Sequence, residues 1–147
     1  MRVELRDTVE DDLPLFRNQA DAGASAMAAF PSRDWEAFVA HQAKIGANPD
    51  MLQRTVVVDG EVAGDIGSWP DEADRNVGYW IGRDFWGRGV ATAALRAFLE
   101  LETTRPLTAH VAVHNLGSRR VLEKCGFVVV REQHADDVDE LVTSLLD

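Results

Sequence analysis

Apolar and charged residues alternate through Val3-Glu4-Leu5-Arg6, the period-two pattern of a strand over residues 3–6. Thr8, Glu10 and Asp11 then offer an N-cap and an acidic first turn for a helix reaching about residue 20 and burying Leu13 and Phe16. Pro14 suits that helix only within its first turn. Residues 21–30 are rich in Ala and Gly and carry no clear period. Pro31-Ser32-Arg33-Asp34 supplies a second helix start, Trp35, Phe38, Val39 and Gln42 follow at helical spacing, and Gly46-Ala47-Asn48-Pro49 ends it.

The second half is more sharply punctuated. Asp59-Gly60 between the apolar runs 55–58 and 61–67 predicts a hairpin with a two-residue turn. Residues 70–75 read as a polar loop and 77–82 as a strand running into a glycine-bearing loop. From Val90, the positions Ala91, Ala94, Leu95, Phe98 and Leu101 fall on one helical face, and Thr103-Thr104-Arg105-Pro106 closes that helix. A strand over 107–113 follows, then a helix over 115–125 with Gly126 as its C′ residue, and strands over 127–130 and 138–146. The last strand is expected to leave a sheet edge able to pair with a second copy, so the chain is read as a monomer or homodimer. The predicted order is β-α-α-β-β-β-α-β-α-β-β, a mixed α/β fold with an antiparallel hairpin early and βαβ connections late.

Composition narrows the setting. The 147 residues, 46% hydrophobic, suit a single domain with its own core. No apolar run is long enough for a membrane span, and the N-terminus lacks the apolar stretch of a signal peptide. A single cysteine, Cys125, excludes an internal disulfide framework and agrees with a cytoplasmic setting; it reads as a packed small side chain. A formal net charge of −10 argues against nucleic acid as a partner and favours a cationic or amine substrate. Lys44 and Lys124 are the only lysines, which reads as the codon bias of a GC-rich bacterium. No metal-ligand cluster and no Gly-x-Ser-x-Gly elbow is apparent.

The chemistry concentrates in Gly78-Tyr79-Trp80-Ile81-Gly82-Arg83-Asp84-Phe85-Trp86-Gly87-Arg88-Gly89-Val90-Ala91-Thr92. A strand, a glycine loop and a helix start bring several backbone N–H groups to one point, the arrangement that holds a pyrophosphate. A dinucleotide site would need a third glycine and a place after the first strand of a βαβ unit; a P-loop would need Gly-Lys-Ser/Thr. Neither is present.

The loop resembles instead that of the GNAT superfamily of N-acyltransferases. The pattern Gln/Arg-x-x-Gly-x-Gly/Ala is matched by Trp86-Gly87-Arg88-Gly89-Val90-Ala91, departing at Trp86. The aromatic at that position and the block from Asn115 to Phe127 (Asn-Leu-Gly-Ser…Leu-Glu-Lys-Cys-Gly-Phe) are similar to the RimJ/RimL-like branch of ribosomal-protein N-terminal acetyltransferases. The resemblance implies a central sheet of about seven strands with about four helices, and acetyl-CoA as acyl donor. It implies that Trp80, Ile81 and Gly82 grip the pantetheine and polarise the thioester carbonyl. Trp86, Gly87, Arg88, Gly89, Val90, Ala91 and Thr92 would hold the pyrophosphate, and Asn115 would hydrogen-bond the pantetheine. Many members carry a tyrosine acid in the last helix; that position here is Leu122, and the single tyrosine is Tyr79. The branch points to Ser118 as the group that meets the leaving thiolate, as acid or as a water-positioning residue. Asp65, Glu72 and His114 are candidate bases for the amine. The implied function is transfer of an acetyl group to a primary amine, either a protein N-terminus or a small molecule. The alternative is a catalytically inactive acyl-CoA-binding module.

Overall fold

Asp59 and Gly60 both adopt positive φ, 49° and 86°, the conformation that lets a two-residue turn follow the twist of its flanking strands. That turn joins β2 (Leu52–Val58) to β3 (Glu61–Asp71), as the sequence predicts. The computed structural model describes residues 1–9, 12, 49–71, 74–135 and 138–146. Around the hairpin it places β1 (Val3–Asp7), β4 (Asp74–Ile81), a 3₁₀ turn (Arg83–Phe85), α1 (Val90–Leu99), β5 (Leu107–Ala112), α2 (Leu116–Lys124), β6 (Val128–Ala135) and β7 (Val138–Leu145). The two helices expected between residues 8 and 48 lie outside the described residues.

The seven strands form one mixed sheet in the order β1-β2-β3-β4-β5-β7-β6. All neighbours are antiparallel except β4 and β5, which run parallel and pair only at Arg75↔Leu107 and Asn76↔Thr108. Beyond those two rungs the strands part, and the sheet splits at the C-terminal end of β4. Helix α1 covers one face. Its Val90, Ala94, Leu95 and Phe98 recur at helical spacing and are buried with Val56, Ile66, Val77, Leu107, Leu122 and Phe127. Full burial of a side chain such as Leu95 or Phe98 contributes about 2 kcal/mol.

Three expectations are corrected. Residues 70 and 71 continue β3 and 74 and 75 begin β4, through Pro70↔Arg75 and Asp71↔Asp74, where a loop was predicted. Pro70 is tolerated because the β2 ladder stops at Leu52↔Ser68, so beyond it β2 no longer asks for its missing N–H. The final strand is not an edge. Leu141 to Leu145 are all buried, and β7 sits between β5 and β6; the edge on that side is β6, whose exposed Arg131, Glu132 and His134 belong at a rim. Leu101 lies past the end of α1 and is 48% exposed. The chain turns away there because Glu102 is drawn inward, accepting hydrogen bonds from Arg75 Nε at 2.6 Å and Ser68 Oγ at 2.8 Å. Burial alone would raise the Glu102 carboxyl; these partners outweigh it and hold it below its usual value.

A second buried carboxylate ties β1 to β2. Asp12 accepts both guanidinium nitrogens of Arg6 (2.9 and 2.7 Å), the Val9 N–H (2.9 Å) and the Thr55 hydroxyl (2.8 Å). The Arg6 hydrogen bonds do most to hold it at about 2, against the opposing effect of burial. Because the folded value lies below the unfolded one, this contribution is complete above about pH 4 and fades as pH falls toward 2. Stability is expected to drop by about 2 kcal/mol across that window. A series of thermal melts checks it, and Asp12→Asn should flatten the acid limb.

Candidate functional site

The split between β4 and β5 leads to the functional surface. Gly82 N–H donates back across the sheet to Ala63 O at 2.7 Å, so strand alternation turns the N–H and C=O of Ile81 to the opposite side, toward the split. The Ile81 carbonyl accepts the Trp86 indole N–H at 2.6 Å. This bond, with Phe85 N–H on Gly82 O at 2.9 Å, folds the loop tightly against the strand end.

Gly87 and Gly89 both have positive φ, 73° and 77°, and these two residues carry the chain from the 3₁₀ turn into α1. Gly89 is the N-cap of α1 and offers no side chain; the first turn holds no acidic residue. Ala93 N–H is the first to reach back into the helix, to Gly89 O. The N–H groups of Val90, Ala91 and Thr92 therefore face outward without an intrahelical partner, at the positive end of the helix dipole.

Helix α2 forms the opposite wall. Asn115 is its N-cap, its Oδ1 accepting the Ser118 N–H at 3.2 Å. Cys125 closes the helix, half-buried against the core; burial pushes its thiol up, against a smaller lowering by Arg96, and it does not line the cavity.

Between these walls lies a cavity of about 500 Å³. Of the predicted site residues, Trp80, Ile81, Trp86, Gly87, Gly89, Val90, Ala91, Thr92, Asn115 and Ser118 line it. Gly82 and Arg88 do not: the Gly82 N–H is engaged by Ala63, and the Arg88 guanidinium lies 5.5 Å from the Phe85 ring centre. Gly117, Arg120, Val121 and Lys124 line it too, although the sequence reading had not singled them out. Their spacing (i, i+3, i+4, i+7) marks one face of α2, and helical periodicity applied to that segment would have found them. Among the described residues, Arg120 and Lys124 are the only charged side chains on the wall, in a chain of net charge −10. This described lining suits an anion.

A smaller cavity of about 40 Å³ occupies the split itself, bounded by Val77, Gly78 and Tyr79 on β4, by β5, and by Asn115, Ser118 and Leu122. On its β5 side is His110, whose Nδ1 lies 3.0 Å from Glu140 Oε1. Of the candidate bases, Asp65 accepts from Gln53 Nε2 at 3.2 Å and lines neither cavity. His114 is exposed in the turn after β5 and lines neither, and Glu72 lies outside the described residues. No helix among the described residues is long and apolar enough to cross a membrane.

Comparison with known proteins bears on this geometry. The family described as "Acetyltransferase (GNAT) domain" matches residues 2–128. Putative ribosomal N-acetyltransferase YdaF of Bacillus subtilis (strain 168) is 38% identical over 90 residues, covering 56% of this chain and 49% of that protein. The match thus spans about half the length of this curated relative. Among solved structures, spermidine N-acetyltransferase from Vibrio cholerae in complex with CoA and spermine superposes with a TM-score of 0.83 at 16% identity, covering 98% of this chain and 95% of that one. Aminoglycoside acetyltransferase AAC(6')-Ib in complex with coenzyme A does so at 0.78 and 19% identity, with 99% and 95% covered.

Proposed function

Because the chain belongs to the GNAT acetyltransferase family, we propose that it transfers the acetyl group of acetyl-CoA to a primary amine by direct attack in a ternary complex. The observation that carries this reading is the 500 Å³ cavity, floored by the outward N–H groups of α1, walled by Arg120 and Lys124, and set against the sheet split beside Ser118. These residues fit a pyrophosphate. The uncapped helix start has donors that nothing in the helix satisfies, and both wall charges are positive.

In this reading the N–H groups of residues 90–92 and the two cations hold the phosphates, and Trp80 and Ile81 lie along the pantetheine. The Ile81 N–H, turned into the split, donates to the acyl carbonyl oxygen as charge develops on it. Asn115 fixes the start of α2 and hence Ser118, which faces the departing sulfur. The acceptor is a protein N-terminus or a small amine. The similarity to YdaF supports the first, and the acidic surface suits either. The same reading makes the chain a single-domain cytoplasmic enzyme.

Release of free thiol from acetyl-CoA, followed with a panel of N-terminal peptides, polyamines and aminoglycosides, tests the proposal. Release with at least one amine is the expected outcome. Calorimetric binding of coenzyme A without thiol release across the panel would favour the second reading, an acyl-CoA-binding module. That reading draws on Leu122 standing where many relatives carry a tyrosine, and on the lack of any carboxylate or imidazole among the described residues that line the larger cavity. Absence of coenzyme A binding would remove both.

A further inference from the structure

Tyr79, the one tyrosine of the chain, stands on β4 with its ring packed against the core. Its hydroxyl is sealed from solvent and has no partner in good hydrogen-bond geometry, although the Ser118 side chain lies close enough to act on it electrostatically. A buried hydroxyl without a partner costs about 1–3 kcal/mol, so one kept in a folded protein asks for a reason. The place supplies it. Tyr79 lines both the large cavity and the small one in the split, and the residues that share both walls with it are Asn115 and Ser118. The Ser118 side chain is its polar neighbour.

Ser118 is anchored by its backbone, through the Asn115 cap, while its hydroxyl carries one proton and two acceptor lobes and can turn about the Cβ–Oγ bond. A donor occupying one lobe dictates where the proton points. Burial pushes the Tyr79 phenol up to about 12, with only partial offset from Ser118, so it stays a donor throughout the neutral range.

We propose that Tyr79 is a positioning residue for Ser118: in the loaded site its hydroxyl donates to Ser118 Oγ, which aims the serine's own O–H at the sulfur of the acyl donor. The inference rests on the acetyl-transfer reading above. In the transfer, the amine nitrogen bonds to the acyl carbon, the carbon–sulfur bond breaks and its electron pair leaves on sulfur. One proton moves in net from nitrogen to sulfur. The Ser118 hydrogen bond stabilises the charge on sulfur until that proton arrives. The role that many relatives give to a helix tyrosine is thus divided here between a strand tyrosine and a helix serine, with Leu122 filling the space behind them.

The test uses coenzyme A itself and needs no acceptor. The thiol of bound coenzyme A is titrated by its ultraviolet thiolate absorbance in the intact protein, in Tyr79→Phe, in Ser118→Ala and in the double variant. Each single change should lower the acid dissociation constant of the bound thiol about tenfold, since a hydrogen bond to a charged group is lost. The double variant should match the singles. Unchanged titration in Tyr79→Phe, or additive losses in the double variant, would overturn the proposal. A second readout needs no substitution at Tyr79. With isotope-labelled tyrosine the protein gives one ring signal, which should move when coenzyme A binds and stay still in Ser118→Ala. A signal that does not move, or moves equally in both, also overturns it. If calorimetry shows no binding of coenzyme A by the intact protein, the acetyl-transfer reading itself has failed, and this inference with it.

Discussion

Gly89→Asp should weaken coenzyme A binding by about a hundredfold while leaving the fold intact, at a cost of about 1 kcal/mol in stability from the left-handed backbone. Both halves follow from the same few atoms. A Cβ at position 89 would meet nothing within 4 Å, and aspartate is among the side chains that best tolerate the left-handed conformation found there at φ 77°. The carboxylate also sits at the positive end of the α1 dipole, which offsets part of the backbone strain. For the ligand it sets a negative charge beside the place a phosphate would occupy. Two unit charges about 4 Å apart near a protein surface interact by about 4 kcal/mol, which exceeds what a hundredfold change requires. Calorimetry with coenzyme A, paired with a circular-dichroism melt, measures both quantities. Retained affinity in a folded variant would mean that the phosphates bind elsewhere.

The largest effect on stability is expected at Gly64, where alanine should cost about 3 kcal/mol. A Cβ on Gly64 would land on the Trp80 carbonyl oxygen, with the Trp80 carbonyl carbon 2.9 Å and Ile81 Cα 3.0 Å away. All three are backbone atoms of the neighbouring strand, so no rotamer change relieves the overlap. The approach is this close beside an irregularity in β3, where Val57 pairs with Val62 and Val56 with Gly64, leaving Ala63 out of the β2 ladder. Ala63 turns its carbonyl to Gly82 N–H instead. Gly117→Ala is the control: the nearest atom to its Cβ would be Asn115 Oδ1 at 3.8 Å, and alanine in a helix is worth about 1 kcal/mol over glycine. Urea unfolding of both variants decides the matter. A Gly64→Ala midpoint equal to that of the unsubstituted protein would show that β3 can yield where the contacts say it cannot.

What the sequence made legible was whatever local chemistry dictates. Asp59-Gly60 specifies its turn alone, the burial of α1 follows from a 3.6-residue period, and Asn115 is readable as a cap because its side chain reaches only its own helix. The glycine loop into α1 was legible for the same reason: Gly87, Gly89 and the helix start are neighbours in the chain. Features that depend on distant partners were not. The β3–β4 ladder past Ser68 exists because β2 has ended at Leu52, far from Pro70 in the chain. The inward turn at Glu102 requires Arg75 and Ser68, and the interior place of β7 requires knowing that β5 pairs with it. Gly82 dropped out of the cavity wall for a comparable reason, since its N–H is claimed by Ala63 from another strand. Tyr79 was visible as the only tyrosine. Its proximity to Ser118, nearly forty residues on in the chain, was not.

The bond from the Trp86 indole to the Ile81 carbonyl has a consequence for what the protein can accept. An ordinary strand edge is indifferent to polarity, because each outward residue offers a donor and an acceptor side by side. Here one lobe of the acceptor is already engaged by the indole, and the end of β4 meets an incoming molecule more as a donor than as an acceptor. On the acetyl-transfer reading proposed above, a guest that brings a carbonyl oxygen to that spot is favoured over one that brings an N–H. Trp86, which departs from the loop pattern of the wider family, would then bias a ligand toward the register that sets a C=O against Ile81.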